Sequence, residues 1–548
     1  MDFKEEVVKL LKFRVKNPQI EIPPIGMGDY AFPCFSLAKE LKKSPNEISK
    51  DIINKIKPNK YIEKIVSAGP YVNFFINKEI LTQDILKKIL KEKDKFGSVN
   101  EGKNKKIVID MSSPNIAKPF GIGHLRSTII GNSLSKIYTK LGYKTIKINY
   151  LGDWGTQFGK LIVGYKKWGN ASLLKENPIK HLLELYIKAN DKEYEPDARD
   201  WFKKLEQGDK EALKLWKLFK ELSIKEFNKI YKILGIKFEV ISGESFYNKK
   251  MDETIKKLKN KHLLKESEGA LVVNLEDYNL GVCLIQKSDG TTLYATRDIT
   301  AAIDRNNKYK FNKMLYEVGS EQKLHFQQFF KVLELMGYSW YKDCIHVSHG
   351  LYLDKEGKKF ATRKGNIVYM EEILKETIDI AKKTIEKKNP KLKNKDEAAR
   401  KVAIAAIFFG DLKNNRVHDI VFDIEKFIDF EGNTGPYIQY TYARASSILR
   451  KAGKKNSFSV KELNEKEILL INKLNIFNEI IISAARQNSP AIIANYTYEL
   501  AQLFNEFYHS CPVLKSDNEW FRLALVQATR QVIKNGLNLL GIDVLEEM

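Results

Sequence analysis

The stretch Ser112-Ser-Pro-Asn-Ile-Ala-Lys-Pro-Phe-Gly-Ile-Gly-His-Leu-Arg126 decides the fold, because it joins a predicted strand to a predicted helix. The strand at 107–111 is an abrupt apolar run, and the helix at about 124–141 carries an apolar stripe at helical spacing. Gly142 is predicted to cap that helix, and a further strand follows at 144–150. Strand, helix and strand in this order form a βαβ unit, which predicts a parallel sheet and an α/β fold.

The same loop has the features of a phosphate-binding site. It enters a helix N-terminus, where backbone N–H groups and the helix dipole favour anions. Gly121 and Gly123 let a ligand approach the backbone closely, and His124 is placed to donate to a phosphate. A Gly-x-Gly-His turn by itself is more often a plain tight turn, so the rest of the sequence has to show whether this turn binds phosphate.

Two other nucleotide-binding patterns fit less well. A dinucleotide-binding GxGxxG would need Gly where Arg126 stands and an acidic residue some 20 positions later, and neither is present. A P-loop is nearly matched at 97–104, but that copy lacks the Ser or Thr for Mg²⁺ and precedes its strand. A nicotinamide oxidoreductase using the Gly-x-Gly-His turn therefore stays open only as a disfavoured alternative.

Composition excludes several classes of protein. The 548 residues carry a net charge of +24, yet 43% are hydrophobic, which excludes a disordered polycation. No apolar run of about 18 residues occurs, and the N-terminal sequence has no apolar core, so we expect neither a transmembrane helix nor a signal peptide. Four cysteines without a CxxC spacing indicate a reducing, cytoplasmic setting.

The positive charge is unevenly distributed. Residues 1–100 carry a net +6 and residues 433–548 a net +2, so the remaining residues carry +16. Most basic residues are Lys, and a diffuse Lys excess suits nucleic-acid binding and a solvated surface equally well. Charge alone therefore leaves the partner open.

Three segments follow from the pattern along the chain. Residues 1–100 mix helical periodicity with short extended runs and end in a charged stretch. Residues 160–265 read as mostly amphipathic helix, and residues from about 433 onwards are helical to the end. Additional strands are predicted near 270–274, 282–286, 314–318 and 345–348.

Residues 112–131 closely resemble the HIGH-motif region of class I arginyl-tRNA synthetases. Six more matches follow in the order of that family, and together with the first they cover nearly the whole chain. They are residues 151–159, 293–298, 318–326, a degenerate KMSKS loop near 359–365, the entry to the anticodon-binding domain at 432–444, and the C-terminal residues 539–548. Seven ordered matches are far more specific than any one of them.

The resemblance implies an α/β fold with three parts. These are an α+β N-terminal domain at 1–100 that contacts the tRNA elbow, a Rossmann-like catalytic domain with a parallel sheet at 101–432, and an all-α anticodon-binding domain at 433–548. The helical stretch at about 160–265 would be an insertion in the catalytic domain. The partners implied are tRNA(Arg), L-arginine and ATP.

The implied activity is that of an arginine–tRNA ligase. Arginine's carboxylate would attack the α-phosphate of ATP to give arginyl-adenylate and pyrophosphate, and the 3′-terminal adenosine of tRNA would then accept the arginyl group. Activation of arginine would need bound tRNA. Mg²⁺ would enter together with ATP, and no tightly bound metal ion is expected in the protein. We expect a cytoplasmic monomer with no membrane partner.

Candidate arginine-binding residues come from spacing and resemblance. Tyr294 and Asp298 are four apart, so a helix would place them on one face, and a ring with a carboxylate suits a guanidinium. The resemblance assigns Tyr294, Asp298 and Gln322 to the arginine side chain. It assigns the other end and the reacting region of arginine to Ser113, Pro114, Asn115 and His124.

The nucleotide side departs from the family pattern. Gly121 replaces the first His of HIGH, and the KMSKS-like loop has Phe360, Ala361 and Thr362 where Met, Ser and the second Lys are usual. By resemblance, ATP is bound by Gly121, Gly123, His124 and Lys359, while Lys118, Arg363 and Lys364 are candidates to replace the missing Lys. These departures keep open a catalytically weakened, RNA-binding paralogue of the same fold.

Several residues are predicted to meet tRNA. By resemblance, these are Tyr71 and Asn73 at the elbow, and Tyr437, Gln439, Tyr440, Tyr442 and Arg444 at the anticodon domain, where some tyrosines must be core. Asp153, Trp154 and Gln157 are expected to border the pocket and the tRNA acceptor end, with Trp154 equally suited to a core. His346 and His349, which lack a third metal ligand, are predicted to be structural.

Overall fold

The structure, a computed structural model, describes residues 3–24, 26–288, 294–360, 369–452, 457–460 and 462–548. The chain forms two compact units, each assembled from separate stretches. The first consists of Met1–Phe96, Ala445–Phe477 and Leu500–Val532. The second consists of Gly97–Arg444, Asn478–Glu499 and Ile533–Met548.

The N-terminal part of the first unit combines helices with a small antiparallel sheet. Its elements are α1 (Phe3–Leu11), β1 (Tyr30–Pro33), α2 (Phe35–Leu41), α3 (Pro45–Ile53), β2 (Ile62–Ala68), β3 (Tyr71–Ile76) and α4 (Lys78–Glu92). The strand order is β1-β3-β2, and both pairs are antiparallel. Ser44 and Glu47 form a capping box at the start of α3, which fixes where that helix begins.

The second unit contains the remaining strands and most helices. Its strands are β4 (Lys106–Asp110), β5 (Lys144–Leu151), β6 (Val240–Gly243), β7 (Leu264–Ser267), β8 (Ala270–Asn274), β9 (Val282–Gln286), β10 (Lys313–Gly319), β11 (Cys344–His349), β12 (Tyr352–Leu353) and β13 (Ile420–Val421). Its helices up to residue 427 are α5 (Gly123–Lys140), α6 (Gln157–Trp168), α7 (Ala171–Glu176), α8 (Pro178–Lys188), α9 (Glu195–Glu206), α10 (Lys210–Leu234), α11 (Met251–Asn260), α12 (Tyr294–Tyr309), α13 (Lys323–Leu335), α14 (Met370–Lys388), α15 (Lys395–Leu412) and α16 (Ile424–Phe427).

A five-stranded parallel sheet forms the centre of this unit. Its strand order is β11-β10-β4-β5-β6, and every neighbouring pair is parallel. Four of the five residues of β4 are buried, as expected for a strand covered on both faces. From β4 the chain adds β5 and β6 on one side of the sheet and then β10 and β11 on the other, so the strand order reverses between β4 and β10, as in a doubly wound fold.

The predicted βαβ unit is confirmed to within a residue at each end. Gly142 follows α5 with a φ of 82°, a left-handed conformation that glycine adopts without a steric penalty. The strands predicted near 314–318 and 345–348 are β10 and β11 of the parallel sheet.

Two of the secondary-structure predictions were incomplete. The strands predicted near 270–274 and 282–286 exist as β8 and β9, but they form a separate antiparallel sheet with β7. The stretch 160–265, predicted to be mostly helical, also supplies β6 to the central sheet. That strand has only four residues and is partly exposed, so it lacks the apolar run that marks a buried strand.

The C-terminal part is helical, as predicted. Its helices, whose residues belong to both units, are α17 (Gly435–Lys451), α18 (Glu465–Asn475), α19 (Phe477–Arg486), α20 (Ala491–Ser510) and α21 (Glu519–Leu539). Within the described ranges, no single helix is long and apolar enough to cross a bilayer, and only α18 and α19 taken together across a bend reach that length and composition.

Candidate active site

In a sheet with this strand order, a ligand crevice is expected at the carboxyl ends of β4 and β10. Ligands of open α/β sheets bind at such a position. The loop after β4 leads through Ser113 to His124, and the turn after β10 carries Glu321 and Gln322. The sheet therefore brings two of the sequence-derived motifs to the same edge.

The loop after β4 is held in an unusual backbone conformation. Ser112, Ser113 and Ala117 all have positive φ values, of 73°, 50° and 60°. Such non-glycine residues cost on the order of 1–3 kcal/mol each and persist where the surroundings hold them. Here the backbone N–H of Ala117 donates to the hydroxyl of Ser223 over 2.8 Å.

The same loop pairs with the end of β5. Ile116 donates to the carbonyl of Gly152 over 3.2 Å, and Gly152 donates to the carbonyl of Pro114 over 3.1 Å. A Cβ on Gly152 would lie 2.0 Å from Oδ1 of Asn115, so glycine is required there. Pro114 and Asn115 are thus fixed against the second strand, where a substrate bound at this edge would meet them.

The N-terminus of α5 lies at the end of the loop that follows β4. No side chain caps it, but the N–H groups of His124 and Leu125 donate to the carbonyls of Gly121 and Ile122 over 3.0 Å each, which leaves the N–H of Gly123 to an anion. Nothing lies within 4 Å of a Cβ built on Gly123. The space beside Gly123, at the start of α5, therefore leaves room for a phosphate group.

His124 begins the same helix with a neutral ring. Its imidazole packs against Phe120 with the ring centroids 5.4 Å apart. Burial lowers the pKa of His124 to about 4, and the charge on Lys118 acts in the same direction. A neutral imidazole can donate through one nitrogen and accept through the other.

Two lysines are candidates for the positive charge on the nucleotide side of the site. The ammonium of Lys118 lies 5.4 Å from the ring centre of Tyr186, and burial lowers the pKa of Lys118. Lys359, at the start of the KMSKS-like loop, forms an exposed ion pair of 2.6 Å with Glu321. Gly121 bridges to Tyr369, which lies beyond the KMSKS-like loop. We call Lys118, Gly121, Gly123, His124 and Lys359 the loop side of the site.

Part of the KMSKS-like loop cannot be placed. Ala361, Thr362, Arg363 and Lys364 lie outside the described residues, as does Leu293 of the motif before α12. The predictions for Arg363 and Lys364 therefore stay predictions.

Helix α12 carries the predicted Tyr294 and Asp298 on its first turns. The helix begins at Tyr294, so the spacing of four does place both on one face. Tyr294 is 69% exposed, and Asp298 is half-buried. Gln322 lies in the exposed turn after β10, directly before α13.

His325 is a partner of Asp298 to which no role had been assigned. Its Nε2 lies 2.7 Å from Oδ2 of Asp298. The ring of His325 stacks on that of Phe329, with an interplanar angle of 18°. The His was contained in the matched stretch 318–326, but one sequence gives no signal for which distant carboxylate it meets.

Glu244 is a second carboxyl group that the sequence did not indicate. It follows β6, and burial raises its pKa to about 7. Among the neighbouring charges, Arg297 lowers that pKa while Asp298 and Asp153 raise it. The charges of Glu244 and Asp298 thus act on each other, and two such carboxyl groups can together attract a cation. We call Glu244, Tyr294, Asp298 and His325 the acidic side of the site.

A buried ion pair connects α12, which carries Asp298, to the end of β4. Nη1 of Arg305, on α12, lies 2.7 Å from Oδ2 of Asp110, at the end of β4. Both residues are almost completely buried, and Oδ1 of Asp110 accepts a hydrogen bond from the hydroxyl of Ser113 over 3.1 Å. This chain of contacts links α12 to the strained loop.

A second buried pair holds the helix of the loop side. Nε of Arg126, on α5, lies 3.0 Å from Oδ2 of Asp411, on α15. The hydroxyl of Tyr352 also donates to this carboxylate. Arg126 is 1% exposed, so its role is to anchor α5 rather than to meet a ligand.

The residues after β5 divide between core and pocket. Asp153 is completely buried, which corrects the expectation that it borders the tRNA acceptor end. Trp154 is half-buried and packs edge-on against Phe202 and Trp216. Trp154 therefore belongs mainly to an aromatic cluster, and half-buried Gln157 begins α6.

The predicted tRNA contacts differ in accessibility. Gln439 is 0% exposed and its amide donates to the carbonyl of Asp543 over 2.7 Å, so it cannot reach a tRNA in this structure. Asn73 and Tyr442 are also buried. Whether a side chain is buried depends on which face of its helix or strand it occupies. Resemblance to a family motif does not show that face. Accessible or partly accessible positions are Tyr71, Tyr437, Tyr440 and Arg444.

His346 and His349 make structural contacts. The ring of His346 stacks 4.2 Å from that of Phe326, and its Nε2 lies 3.0 Å from the carbonyl oxygen of Val318. Nδ1 of His349 lies 2.8 Å from the carbonyl oxygen of Gly350, and burial lowers the pKa of His349 to about 4. Neither ring is arranged as a metal ligand.

Profiles of known families match three consecutive parts of the chain. Residues 2–76 match the arginyl tRNA synthetase N terminal domain. Residues 85–424 match the class I (R) tRNA synthetase catalytic domain, and residues 438–548 match the DALR anticodon binding domain.

Whole proteins are similar over the same length. An arginine–tRNA ligase of Clostridioides difficile (strain 630) is 47% identical, with 100% of each chain covered. An arginine–tRNA ligase 1 of Bacillus thuringiensis subsp. konkukian (strain 97-27) is 51% identical, with 95% of this chain and 94% of the relative covered.

Solved structures agree with the fold. The arginyl-tRNA synthetase of Thermus thermophilus superimposes with a TM-score of 0.86 at 26% identity, over 99% of each chain. That of Plasmodium falciparum gives a TM-score of 0.83 at 28% identity, over 100% of this chain and 98% of the other.

Proposed function

Because this chain belongs to the arginyl-tRNA synthetase family, we infer that it is an arginine–tRNA ligase that uses ATP. The reaction has two steps. A carboxylate oxygen of L-arginine attacks the α-phosphorus of ATP, the bond to the leaving pyrophosphate breaks, and arginyl-adenylate forms. A ribose hydroxyl of the 3′-terminal adenosine of tRNA(Arg) then attacks the arginyl carbonyl carbon, and AMP leaves.

We propose that the acidic side binds the guanidinium of arginine. Asp298 and Glu244 supply two carboxyl groups, and the exposed ring of Tyr294 supplies a face for stacking. His325 holds the Asp298 carboxylate in place through their 2.7 Å contact. Gln322, in the turn beside α13, completes this end with its amide. The observation that carries the proposal is this pair of carboxyl groups at the carboxyl edge of the sheet.

The other end of arginine would lie along the strained loop. Ser113 and Asn115 bind the α-amino and carboxylate groups, with Pro114 shaping the loop between them. This places the reacting carboxylate toward the N-terminus of α5, where the α-phosphate binds. Holding the two reactants together in this way is itself a large part of catalysis.

The loop side would bind ATP and stabilise its developing charge. Backbone N–H groups at Gly121 and Gly123, together with neutral His124, bind the phosphates. Lys118 and Lys359 add positive charge near the leaving pyrophosphate, with Arg363 and Lys364 as further candidates. Mg²⁺ enters as part of the ATP substrate.

The proposed tRNA contacts lie at both ends of the chain. Tyr71 of the first unit would meet the tRNA elbow, and Tyr437, Tyr440 and Arg444 would stack on unpaired anticodon bases. The guanidinium of Arg444 already lies 5.0 Å from the ring centre of Tyr440. We propose a monomer acting in the cytoplasm, with domains at 1–100, 101–432 and 433–548.

Exchange of labelled pyrophosphate into ATP tests this function. We expect exchange only when both L-arginine and tRNA(Arg) are present, because the family generally activates arginine with tRNA bound. Exchange with another amino acid, or no exchange under any condition, would contradict the proposal. The second result would instead favour an RNA-binding paralogue without the activity.

The proposed role of Lys118 in stabilising charge can be tested by substitution. The Lys118→Ala variant is expected to lose about 100-fold in exchange rate, the effect of removing one group that stabilises transition-state charge. Lys167→Ala is a matched control, because Lys167 also lies over a ring, that of Tyr194, but away from the crevice. Equal rates for the two variants would remove Lys118 from the mechanism.

A further inference from the structure

Asp153 is a completely buried carboxylate whose position is fixed by two other segments. Nζ of Lys220 donates to Oδ2 over 2.6 Å. The backbone N–H of Ser245 donates to Oδ1 over 2.8 Å, and the Ser245 hydroxyl donates to Oδ2 over 2.7 Å. A charge is buried at a tolerable cost only when it is paired and hydrogen-bonded, as here.

The turn that Asp153 holds is the one that carries Glu244. Ser245 follows Glu244, and Gly243 precedes it at the end of β6. A Cβ on Gly243 would lie 2.4 Å from Cγ of Asp153, so the carboxylate packs directly on the glycine backbone. Asp153 therefore contacts the residue on each side of Glu244 and fixes the backbone from which Glu244 projects.

The same aspartate is tied to α10 of the helical segment. Nε1 of Trp216 donates to the backbone carbonyl of Asp153 over 2.7 Å. Trp216 and Lys220 are four apart on α10, so both lie on one face of that helix. Helix α10 thus binds the backbone and the side chain of Asp153 at once.

We propose that Asp153 is a positioning residue for the substrate arginine: it holds the turn Gly243–Ser245 and thereby sets the position of the Glu244 carboxyl group. Lys220 and Trp216 hold Asp153 in turn, which makes α10 part of the support of the arginine pocket. The inference rests on the proposed role of Glu244 in binding the guanidinium. Asp153 itself touches no substrate.

The test is a KM comparison in the pyrophosphate-exchange assay with tRNA present. Asp153→Asn keeps the shape of the side chain but weakens the pairing with Lys220. We expect the KM for arginine to rise about tenfold, the size of one lost hydrogen bond to a charged group, with the KM for ATP unchanged within twofold. Lys220→Met and Ser245→Ala, which leave the carboxylate in place, are expected to act in the same direction.

A double-mutant cycle separates positioning from general structural support. If Asp153 acts through Glu244, then Asp153→Asn adds little to the KM for arginine in a Glu244→Gln background. Additive effects, or equal rises in both KM values, would overturn the inference. If Asp153→Asn fails to fold, Lys220→Met and Ser245→Ala decide by the same cycle. No arginine-dependent exchange in the unsubstituted enzyme would instead refute the proposed function.

Discussion

The acidic side and the Lys359 end of the loop side are held in place by different kinds of contact, whereas α5 itself is held by the buried pair of Arg126 and Asp411. Behind the acidic side lie two buried carboxylates, Asp110 and Asp153, each with charged and neutral hydrogen-bond partners. On the loop side, the Lys359–Glu321 pair has side chains that are 64% and 61% exposed. Breaking a buried pair costs about 3–5 kcal/mol, whereas an exposed pair contributes about 0–1 kcal/mol.

The difference indicates how the two substrates are recognised. A guanidinium has a fixed planar shape, and carboxyl groups held in advance by a buried network can discriminate it from other cations. Phosphate groups are bound by backbone N–H groups at a helix end and by lysines, which act as mobile point charges. We therefore propose that the arginine pocket is built before binding and that the lysines of the nucleotide pocket take their final positions when the ligand binds.

The largest expected effect comes from breaking the pair beneath the acidic side. Arg305→Met leaves Asp110 buried without its positively charged partner, which is expected to destabilise the protein by about 3–5 kcal/mol. Thermal unfolding followed by circular dichroism measures this as a lower Tm.

Asp304→Asn is the matched control for that variant. Asp304 is the neighbouring residue on α12, and its pair with Lys250 is partly exposed, so its loss costs about 0–1 kcal/mol. If Arg305→Met melted no earlier than Asp304→Asn, the acidic side would not depend on its buried support.

The next largest effect is expected from removing the charge of Asp298, which we propose binds the guanidinium. Asp298→Asn loses charge-assisted hydrogen bonds worth about 1.5–3 kcal/mol, so the KM for arginine should rise roughly 10- to 100-fold. The KM for ATP should stay the same, because Asp298 lies on the acidic side. Steady-state exchange kinetics measure both values, and a change confined to the KM for ATP would contradict the assignment.

The acidic side should also give the reaction a pH dependence. Burial raises the pKa of Glu244 to about 7, and only the ionised carboxylate attracts a guanidinium. Lowering the pH from 8 to 6 protonates this group, so the KM for arginine should rise roughly tenfold. Glu244→Gln should abolish most of that dependence, and a Gln variant with the full dependence would place the titrating group elsewhere.

The smallest effect is expected from the exposed ion pair of the loop side. Glu321→Gln removes the exposed partner of Lys359, and the KM for ATP should change by less than about fivefold. Lys358→Ala, which breaks the adjacent exposed pair with Glu356, is the control. A change above tenfold in Glu321→Gln would show that the loop side is as firmly held as the acidic side.

The spacing of apolar residues and the position of glycine predicted those elements of the fold that depend on neighbouring residues in the sequence. The apolar run of β4, the stripe of α5 and the position of Gly142 follow from spacing and glycine chemistry, and the structure confirms them. The short strand β6 was missed because its four residues, which are partly exposed, carry no such pattern. Its place in the sheet depends on a partner, β5, almost 90 residues earlier.

The site was predictable only where a motif is continuous in sequence. The loop 112–126 and the pair Tyr294 and Asp298 were identified on that basis, and the structure places them at one edge of the sheet. Glu244 reaches this edge through β6, and His325 through α13, by packing that one sequence does not reveal. Gln439 shows the reverse case, since its resemblance to a contact residue did not show that it is buried.

Calorimetric titration of L-arginine into the protein without ATP or tRNA tests the central claim most directly. A pocket built in advance predicts binding of one arginine per chain under these conditions, and much weaker binding in Asp298→Asn. Arginine binding that appears only after ATP or tRNA has been added would contradict it.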